Sequence, residues 1–328
     1  MSERPRRGLV LGGGGVLGAA WTVGALRALE LEYGLDAREF DEYVGTSAGS
    51  VLVALLAAGV GVDDLLRHQR DEPLVSGPLE GFFFDYGEAT GGAKPGKPKH
   101  GIGSKALLSQ GVRYLRALPP MVVVSALLPE GRGRLDGIGA LVAHCVPNGW
   151  VERDGVAVVA MDYESGQRVA FGRDGTPPAD LWRAVMASCA IPGWYEPIRI
   201  GEHRYIDGGA WSSTSVDLMV GRGLDEVYVL APSVSFDVDS PHRFATRMER
   251  RWRNHVTARC LREVAEVHAD GAQLTVLGPG RRDLEVMGGN LMDAARRSAV
   301  IETSVITSAQ ALHDPAPLPA AAPYEEES

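Results

Sequence analysis

Residues 41–52 read DEYVGTSAGSVL, an apolar strand that breaks into the pattern G-x-S-x-G and continues as an Ala/Leu/Val-rich helix. This pattern is typical of a nucleophile elbow, a tight strand-to-helix turn that presents a serine Oγ at the mouth of a sheet. Gly45 and Gly49 remove the side chains that would keep strand and helix apart. Ser47 would lie at a helix N-terminus, where free N–H groups favour negative charge. Chance yields the pattern about 0.3 times per chain of this composition, so neighbouring motifs must decide.

A glycine loop precedes the elbow. Gly8–Leu11 predict a buried parallel strand, residues 12–18 read GGGGVLG, and a helix is predicted from about Ala19 to Glu32. Its G-x-G-x-x-G pattern admits a dinucleotide-binding turn, an oxyanion-binding loop or a structural turn. A dinucleotide site needs an acidic residue at the end of the second strand, where this chain has Ser47. The second strand therefore weakens the dinucleotide interpretation.

A third glycine motif lies far downstream. Arg204–Ile206 predict a short strand that stops at Asp207-Gly208-Gly209, where the glycines allow a tight turn. An aspartate there could accept the proton of Ser47, while N–H groups of the glycine loop receive the oxyanion of a tetrahedral intermediate. Chance yields the three motifs in this order about 0.01 times per chain. Together they predict nucleophilic serine chemistry.

Composition bounds the function classes. The chain of 328 residues is 45% hydrophobic, enough for a large core, and carries a net charge of −9 with a pI near 5.4. An acidic chain lacks the basic face that phosphate contacts need, so no nucleic-acid partner is expected. Cys145, Cys189 and Cys260 are widely spaced, without C-x-x-C or a His cluster, which predicts neither a disulfide framework nor a zinc site. A reducing cytoplasm fits this pattern.

The sequence contains no stretch typical of a membrane span. Three early arginines precede an apolar run from Gly8 to Leu26, but four consecutive glycines poorly suit a signal peptide. No run offers ~20 apolar residues without glycine breaks. A cytoplasmic protein, at most peripheral at a membrane, is expected.

The remaining chain predicts a single domain over residues 1–312 and a disordered acidic tail at 313–328. Residues 77–103 are rich in Gly, Pro and aromatic side chains and hold three of the four lysines. They predict a flexible excursion, with a lid or lipid-contacting flap as the alternative. Further helices are predicted at 51–58, 62–70, 104–118, 135–146, 178–191, 241–268 and 290–312, and further strands at 156–162, 168–171, 227–230 and 273–277. Residues 121–128 fit a strand or a buried helix.

The predicted helix at 241–268 has apolar residues at every fourth position, from Phe244 to Val264, with arginines beside them. One interpretation is a core-packed helix with a solvated basic face. The other is that the basic face attracts anionic lipid headgroups.

On these motifs the chain resembles the patatin-like phospholipases, which share an N-terminal G-G-G-x-x-G loop, a G-x-S-x-G nucleophile and a downstream D-G-[GA] aspartate. The run ASCAIPG at 187–193, followed by Pro197, also resembles the family's approach to its aspartate. The resemblance covers about residues 8–60 and 180–230.

The resemblance implies a three-layer α/β/α fold with a central, mostly parallel sheet. It implies a serine acyl-ester hydrolase that acts on a lipid ester, phospholipid or lysophospholipid without metal or cofactor, with peripheral membrane contact as a further expectation. The implied dyad is Ser47 and Asp207. The implied oxyanion hole consists of Gly13, Gly14 and Gly15, and the other motif glycines are Gly12, Gly18, Gly45, Gly49, Gly208 and Gly209.

Two positions depart from the family pattern. Leu17 stands where the family often has Arg or Lys, and residues 213–215 read STS where Asn-x-Pro is common. Neither change affects the nucleophile, the base or the backbone donors. Both bear on substrate preference.

Three other functions remain open. An α/β-hydrolase with a Ser-Asp-His triad would use His242, His255 or His268, although such folds usually place several strands before the nucleophile. A dinucleotide-binding oxidoreductase would use the glycine loop. A noncatalytic lipid-binding protein would keep the fold without the activity.

Overall fold

The computed structural model describes residues 4–90, 92, 94–236 and 244–315, and it describes their side chains except at residues 88 and 244–252. Within these residues one mixed sheet has eight strands. They are β1 (Arg7–Leu11), β2 (Glu42–Thr46), β3 (Val156–Asp162), β4 (Arg168–Phe171), β5 (Ile198–Ile200), β6 (His203–Asp207), β7 (Glu226–Leu230) and β8 (Gln273–Leu277).

The sheet is mostly parallel. Its order is β5-β6-β3-β2-β1-β7-β8, with β4 paired to β3. Strands β3, β2, β1, β7 and β8 run parallel, whereas β4 and β6 run antiparallel to β3, and β5 runs antiparallel to β6. The expected central sheet of the α/β fold is therefore confirmed.

The described helices flank this sheet. They are α1 (Gly15–Tyr33), α2 (Ala48–Ala57), α3 (Val62–Gln69), α4 (Tyr86–Ala89), α5 (Lys105–Leu108), α6 (Val112–Arg116), α7 (Pro120–Leu127), α8 (Asp136–Cys145), α9 (Leu181–Ser188), α10 (Phe244–Ala269), α11 (Arg281–Met287) and α12 (Arg297–His313).

Side-chain alternation along the strands creates the layers. On β1, Leu9 and Leu11 join the large core under α1, α2, α9 and α12, while Val10 joins a second core on the other face, under α10. On β3, Val158 belongs to the first core and Val159 to the second. Both faces of the central strands are buried, which explains their almost purely apolar sequences.

Strand β3 brings two strand ends together. Over Val158–Met161 one edge of β3 is taken by β4. Its other edge therefore pairs first with β2, where Val159 lies opposite Thr46, and then with β6, where Ala160 lies opposite Asp207. As β2 and β6 approach this point from opposite directions, Ser47 and Asp207 meet although 160 residues separate them in the chain.

Several predicted elements have different bounds. The helix expected from Ala19 begins already at Gly15, and the one expected at 104–118 consists of α5 and α6, separated at Gly111, whose φ is +92°. Residues 121–127 are helical and only Leu128 is extended, and α12 begins at Arg297 after a short 3₁₀ turn. The hairpin of β3 and β4 has the predicted bounds.

Two sequence expectations fall partly outside the described residues. Residues 316–328 of the expected tail and residues 241–243 of the expected long helix are not described. Within the expected excursion at 77–103, Leu79, Phe84 and Tyr86 are buried in the main core. No described helix combines the length and the apolar character that a membrane span requires.

Candidate active site

Ser47 sits on a strained turn between β2 and α2. Its backbone has φ 53° and ψ −126°, a conformation that costs a non-glycine residue on the order of 1–3 kcal/mol. Its N–H donates to Ser188 Oγ at 2.8 Å, and its carbonyl accepts from Ser50 Oγ at 2.7 Å. These bonds hold the serine in the geometry of a nucleophile elbow.

Two glycines make the elbow sterically possible. A Cβ on Gly49 would lie 2.0 Å from the carbonyl oxygen of Leu11, and one on Gly45 would lie 2.6 Å from Cα of Ser50. Both neighbours are backbone atoms, which cannot move aside as a flexible side chain could. The close approach of α2 to β1 therefore depends on Gly49, and the tight turn from β2 into α2 depends on Gly45.

Ser47 and Asp207 form a direct hydrogen bond. Ser47 Oγ donates to Asp207 Oδ2 at 2.6 Å, and the N–H of Gly209 donates to Asp207 Oδ1 at 2.7 Å. Both residues are buried, with 8% and 5% of their surfaces exposed. A Cβ on Gly208 would lie 2.4 Å from Val159 O, so glycine is needed where the turn passes β3. The structure thus brings together the two residues that the sequence motifs single out.

Burial shifts the acid–base behaviour of the aspartate. It raises the pKa of Asp207 to about 6, while the hydrogen bonds from Ser47 and Gly209 act in the opposite direction. A carboxylate with a raised pKa is a stronger base than an ordinary aspartate and is still ionised at pH 7. Asp207 is therefore suited to accepting a proton from the serine.

The same shift predicts a stability change in Asp207→Asn. The folded chain holds the Asp207 proton more tightly than the unfolded chain, so the free energy of unfolding falls as pH rises through the interval between the two pKa values. Asparagine carries no charge, so it removes the unfavourable free energy of burying an ionised carboxylate. We expect Asp207→Asn to raise the free energy of unfolding by about 3 kcal/mol at pH 8 and by about half as much at pH 5.

Urea denaturation at the two pH values measures this difference. The exposed Asp154 serves as the matched control, and Asp154→Asn should change stability little at either pH. A lower free energy of unfolding in Asp207→Asn, or an increase that is no larger at pH 8 than at pH 5, would contradict the raised pKa of Asp207.

The glycine loop lies against the serine. A Cβ on Gly13 would approach Cβ of Ser47 to 3.1 Å. The N–H of Gly13 donates to Ser213 O at 2.8 Å, and its carbonyl accepts from Ser233 Oγ at 2.6 Å. Its N–H is therefore already used, although an oxyanion role was expected for it.

The next amides are available. Among the described residues, no acceptor is recorded for the N–H groups of Gly14, Gly15 and Val16. They form the N-terminus of α1, where free N–H groups favour an anion. Of the three expected oxyanion donors, Gly14 and Gly15 thus keep a free amide.

Other expected glycines have packing roles. Gly14 and Gly18 lie against the Pro232 side chain. A Cβ on Gly14 would lie 2.9 Å from Pro232, and a Cβ on Gly18 would lie 3.3 Å from it. A Cβ on Gly12 would lie 3.2 Å from Ser213 O. The loop is thus enclosed by neighbouring chain segments as well as by Ser47.

No described histidine takes part in the pair of Ser47 and Asp207. His268 Nδ1 lies 3.3 Å from Ala272 O, His255 forms no recorded hydrogen bond with either residue, and His242 lies outside the described residues. Catalysis by a Ser47/Asp207 dyad without histidine stays a prediction. The alternative against which it is tested is a Ser-Asp-His triad.

An apolar cavity opens beside Ser47. The space inside it that a water-sized molecule can reach is about 70 Å³, and its mouth is open to solvent. Side chains from α1, α2, α3 and α8 and from the segment around Phe84 form its walls, among them Val16, Val51, Leu55, Ile138 and Leu141. Its apolar lining next to the serine hydroxyl is chemically suited to a hydrocarbon group.

One part of the cavity wall is polar. His68 Nδ1 lies 2.7 Å from the hydroxyl of Tyr86, and burial, aided by the nearby charge of Arg297, lowers the pKa of His68 to about 4. His68 Nε2 and Gln69 Oε1 are buried without a recorded partner among the described residues. A ligand or a water molecule in the cavity could satisfy both atoms.

The described residues contain one cluster with potential metal ligands away from Ser47. It consists of Asp162, Glu164 and His203, whose ligand atoms lie within 4.8 Å of one another. Asp162 Oδ2 already contacts His203 Nδ1 at 2.7 Å, and Glu164 Oε1 accepts from Arg204 Nε at 2.6 Å. The cluster is accounted for by these ion pairs.

The sequence motifs did not single out three serines that organise the site. Ser188 accepts from the N–H of Ser47 and donates to Val159 O at 2.5 Å, so it ties the elbow to β3. Ser213 and Ser233 hold Gly13 from its two sides. Two of them lie next to sequence features that could have indicated a role: Ser188 is part of the run ASCAIPG, and Ser213 follows the Asp-Gly-Gly motif.

Comparison with known proteins gives a family match and two similar solved structures. The family model described as patatin-like phospholipase matches residues 9–220. Among solved structures, the chain is similar to VipD from Legionella pneumophila, with 12% identity, a TM-score of 0.46 and coverage of 95% of this chain and 67% of that one. It is also similar to the type III effector protein ExoU, with 17% identity, a TM-score of 0.37 and coverage of 95% and 54%.

The chain thus spans about two thirds of the VipD chain and about half of the ExoU chain. No curated protein matches the sequence. The family match covers more than half of the chain and includes the glycine loop, Ser47 and Asp207. The chain belongs to the patatin-like phospholipase family, a membership that implies lipid acyl hydrolase activity.

Proposed function

We propose that this protein hydrolyses carboxylic esters of lipids with Ser47 as nucleophile and Asp207 as base. The hydrogen bond of 2.6 Å from Ser47 Oγ to Asp207 Oδ2, at the mouth of an apolar cavity, carries the proposal. Phospholipids, lysophospholipids and simpler lipid esters are the substrate class. In this proposal the acyl chain lies along the apolar cavity, with its carbonyl carbon next to Ser47 Oγ.

In the first step Ser47 Oγ attacks the carbonyl carbon while its proton passes to Asp207 Oδ2. The carbonyl π electrons move to oxygen, and the amides of Gly14 and Gly15 receive this oxyanion. Each such donor is typically worth about 3 kcal/mol in the transition state. Collapse of the intermediate breaks the ester C–O bond, and the leaving alcohol takes the proton from Asp207.

Water then completes the cycle. It attacks the acyl-serine and transfers a proton to Asp207, and the second tetrahedral intermediate releases the fatty acid. The proton returns from Asp207 to Ser47 Oγ. No redox step and no cofactor enter this sequence.

The pKa of Asp207 predicts a pH profile. Because proton transfer requires the ionised carboxylate, kcat/KM should rise with pH, with an apparent pKa of about 6. A histidine base would give a similar rise in activity with pH, because the ordinary pKa of histidine is about 6.5. The acidic limb of the profile, meaning this rise, therefore needs a control. His68 is the cavity histidine and its pKa is lowered to about 4, so His68→Gln should leave the limb in place.

Stopped assays of a short soluble ester between pH 4.5 and 8.5 provide the measurement. Loss of the limb in a folded His68→Gln variant would transfer the proton-accepting role to that histidine. Activity that stays level down to pH 4.5 would contradict the raised pKa of Asp207.

An ester series tests the function itself. Purified protein is assayed with p-nitrophenyl esters of four, eight and twelve carbons and with phospholipid and lysophospholipid, with Ser47→Ala as the background. We expect hydrolysis that increases with chain length, because a longer chain buries more apolar surface in the cavity. Absence of hydrolysis in the whole series by folded protein would favour the noncatalytic lipid-binding alternative.

A further inference from the structure

Positive charge is concentrated in one segment of this acidic protein. Residues 94–134, here called the cationic segment, contain eight Lys or Arg and one Glu, a net charge of +7, and include all four lysines of the chain. Since the whole chain carries −9, the other 287 residues together carry −16. The cationic segment is therefore opposite in sign to the rest of the molecule.

Most of these cations are available to an external anion. Lys99 lies 3.4 Å from Glu130 and 3.2 Å from Glu196, and Arg134 lies 2.6 Å from Asp136. The other six are exposed and have no recorded ion pair within the described part of the chain; they are Lys94, Lys97, Lys105, Arg113, Arg116 and Arg132. Lys97, Lys99 and Arg132 line one open groove together with Trp194.

The same segment exposes apolar side chains. Of the twelve large hydrophobic side chains exposed among the described residues, six lie in the cationic segment. Three of them, Met121, Val124 and Leu127, recur every third residue along α7, so they share one outer face of that helix. Leu128 follows at the end of α7, and Ile102 and Val112 complete the six, with 49% and 66% of their surfaces exposed.

This outer face rests on a packed inner one. Leu107, Leu118, Val122 and Ala126 form a small core with residues of β3 and β6. The hydroxyl of Tyr163 donates to Ser125 O at 2.9 Å. The exposed apolar residues are therefore held outward on a scaffold whose interior is already filled.

Both ends of the cationic segment lie next to the cavity of Ser47. Thr90, just before it, and Leu135, just after it, line that cavity. Gly133 pairs with Tyr195, which also lines the cavity and donates its hydroxyl to Thr90 O at 2.5 Å. The segment leaves the cavity wall and returns to it.

We propose that the outer face of the cationic segment docks on an anionic lipid surface, with its lysines and arginines among the headgroups and the α7 side chains in the acyl boundary. Each basic residue near an anionic leaflet favours binding, and exposed apolar side chains add burial. Docking at this face places the cavity beside the membrane. The binding itself needs no catalysis.

The described arginines of α10 are less suited to this role, whereas the side chains of residues 244–252 lie outside the described ones. Arg253 is buried, and Arg259 Nε donates to Glu263 at 3.1 Å. Cys260 and Val264 pack in the second core. The described arginines with recorded contacts on α10 therefore serve the protein interior, whereas those of the cationic segment face outward.

Vesicle co-sedimentation of full-length Ser47→Ala tests the proposal independently of turnover. Vesicles of phosphatidylcholine alone are compared with vesicles containing 30% phosphatidylglycerol. We expect binding only to the second, weakened by salt. The triple variant Lys97→Gln/Lys105→Gln/Arg132→Gln should lower the partition coefficient by roughly a hundredfold, from a loss of about fivefold per charge. Met121→Gln/Leu127→Gln should lower it by at least about tenfold.

Matched variants elsewhere control for charge and hydrophobicity. Arg70→Gln/Arg199→Gln/Arg282→Gln removes three exposed cations outside the segment, and Leu31→Gln/Ile306→Gln removes two exposed apolar side chains from α1 and α12. Both should bind as the parent does. The proposal would be overturned by vesicle binding that does not depend on lipid charge, or by equal losses of binding in the control and segment variants. It would also be overturned if the protein did not bind vesicles and Met121→Gln/Leu127→Gln abolished a dimer instead. Short-ester hydrolysis by the same variants on the wild-type background reports separately on the proposed catalysis.

Discussion

Ser47→Ala and Asp207→Asn are each expected to lower kcat/KM for ester hydrolysis by at least about a thousandfold, or about 4 kcal/mol in the barrier. The first removes the nucleophile. The second removes the carboxylate that accepts the proton across the bond of 2.6 Å. Because the two residues act as one unit, the double variant should be little worse than either single one. Steady-state kinetics with a soluble ester measure all three.

Histidine variants supply the matched control for this result. His255→Ala and His268→Ala should stay within about tenfold of wild type, a barrier change of no more than ~1.4 kcal/mol. His242→Ala belongs in the same set, since that residue lies outside the described ones. A folded histidine variant as inactive as Ser47→Ala, with Asp207→Asn still active, would establish the Ser-Asp-His triad instead.

Gly49→Ala is expected to destabilise the fold by at least about 4 kcal/mol, a size that single substitutions seldom reach. A methyl group there would lie 2.0 Å from Leu11 O and 2.8 Å from Gly12 O. Relief requires moving α2 away from β1, which would disturb the core and the elbow together. Since a domain has only about 5–15 kcal/mol in total, insoluble expression is an equivalent outcome.

Gly61→Ala is the control for this substitution. Gly61 has a φ of −75°, and a Cβ there would meet only the end of the Arg38 side chain, at 3.9 Å. Because Gly61 is the N-cap of α3, alanine there should cost no more than about 1 kcal/mol, far less than at Gly49. A soluble Gly49→Ala variant with an unchanged urea midpoint would show that the elbow is not packed as described.

Regular, deeply buried elements were predictable because one physical signal dominates them. The bounds of β3 and β4 follow from apolar residues ended by turn residues. Residues 121–128 could not be assigned because a short apolar run fits a strand or a helix equally well. Pro120 at the start of α7 is the local feature that favours the helix. The strand β5 pairs locally with β6 across residues 201–202 but was missed, because three residues carry too little periodic signal to mark a strand.

The sequence predicts which site residues lie together where a motif needs particular residue types, and it does not where backbone geometry decides. The pairing of Ser47 with Asp207 was expected from the order of the motifs, although its cause is that β2 and β6 share one edge of β3. The N–H of Gly13 is occupied by Ser213 O, and this hydrogen bond depends on where two loops that are distant in sequence meet. No local pattern encodes such a contact. The concentration of positive charge at 94–134 was readable from the sequence, but its proximity to the cavity was not.

Covalent trapping with an alkyl fluorophosphonate tests the central claim most directly. Ser47 Oγ should attack phosphorus with loss of fluoride, giving one adduct per chain, and peptide mapping by mass spectrometry should place it on Ser47. Labelling should disappear in Ser47→Ala and become much slower in Asp207→Asn. Folded wild-type protein that stays unlabelled, or an adduct that persists on another serine in Ser47→Ala, would contradict the assignment of Ser47 as the nucleophile.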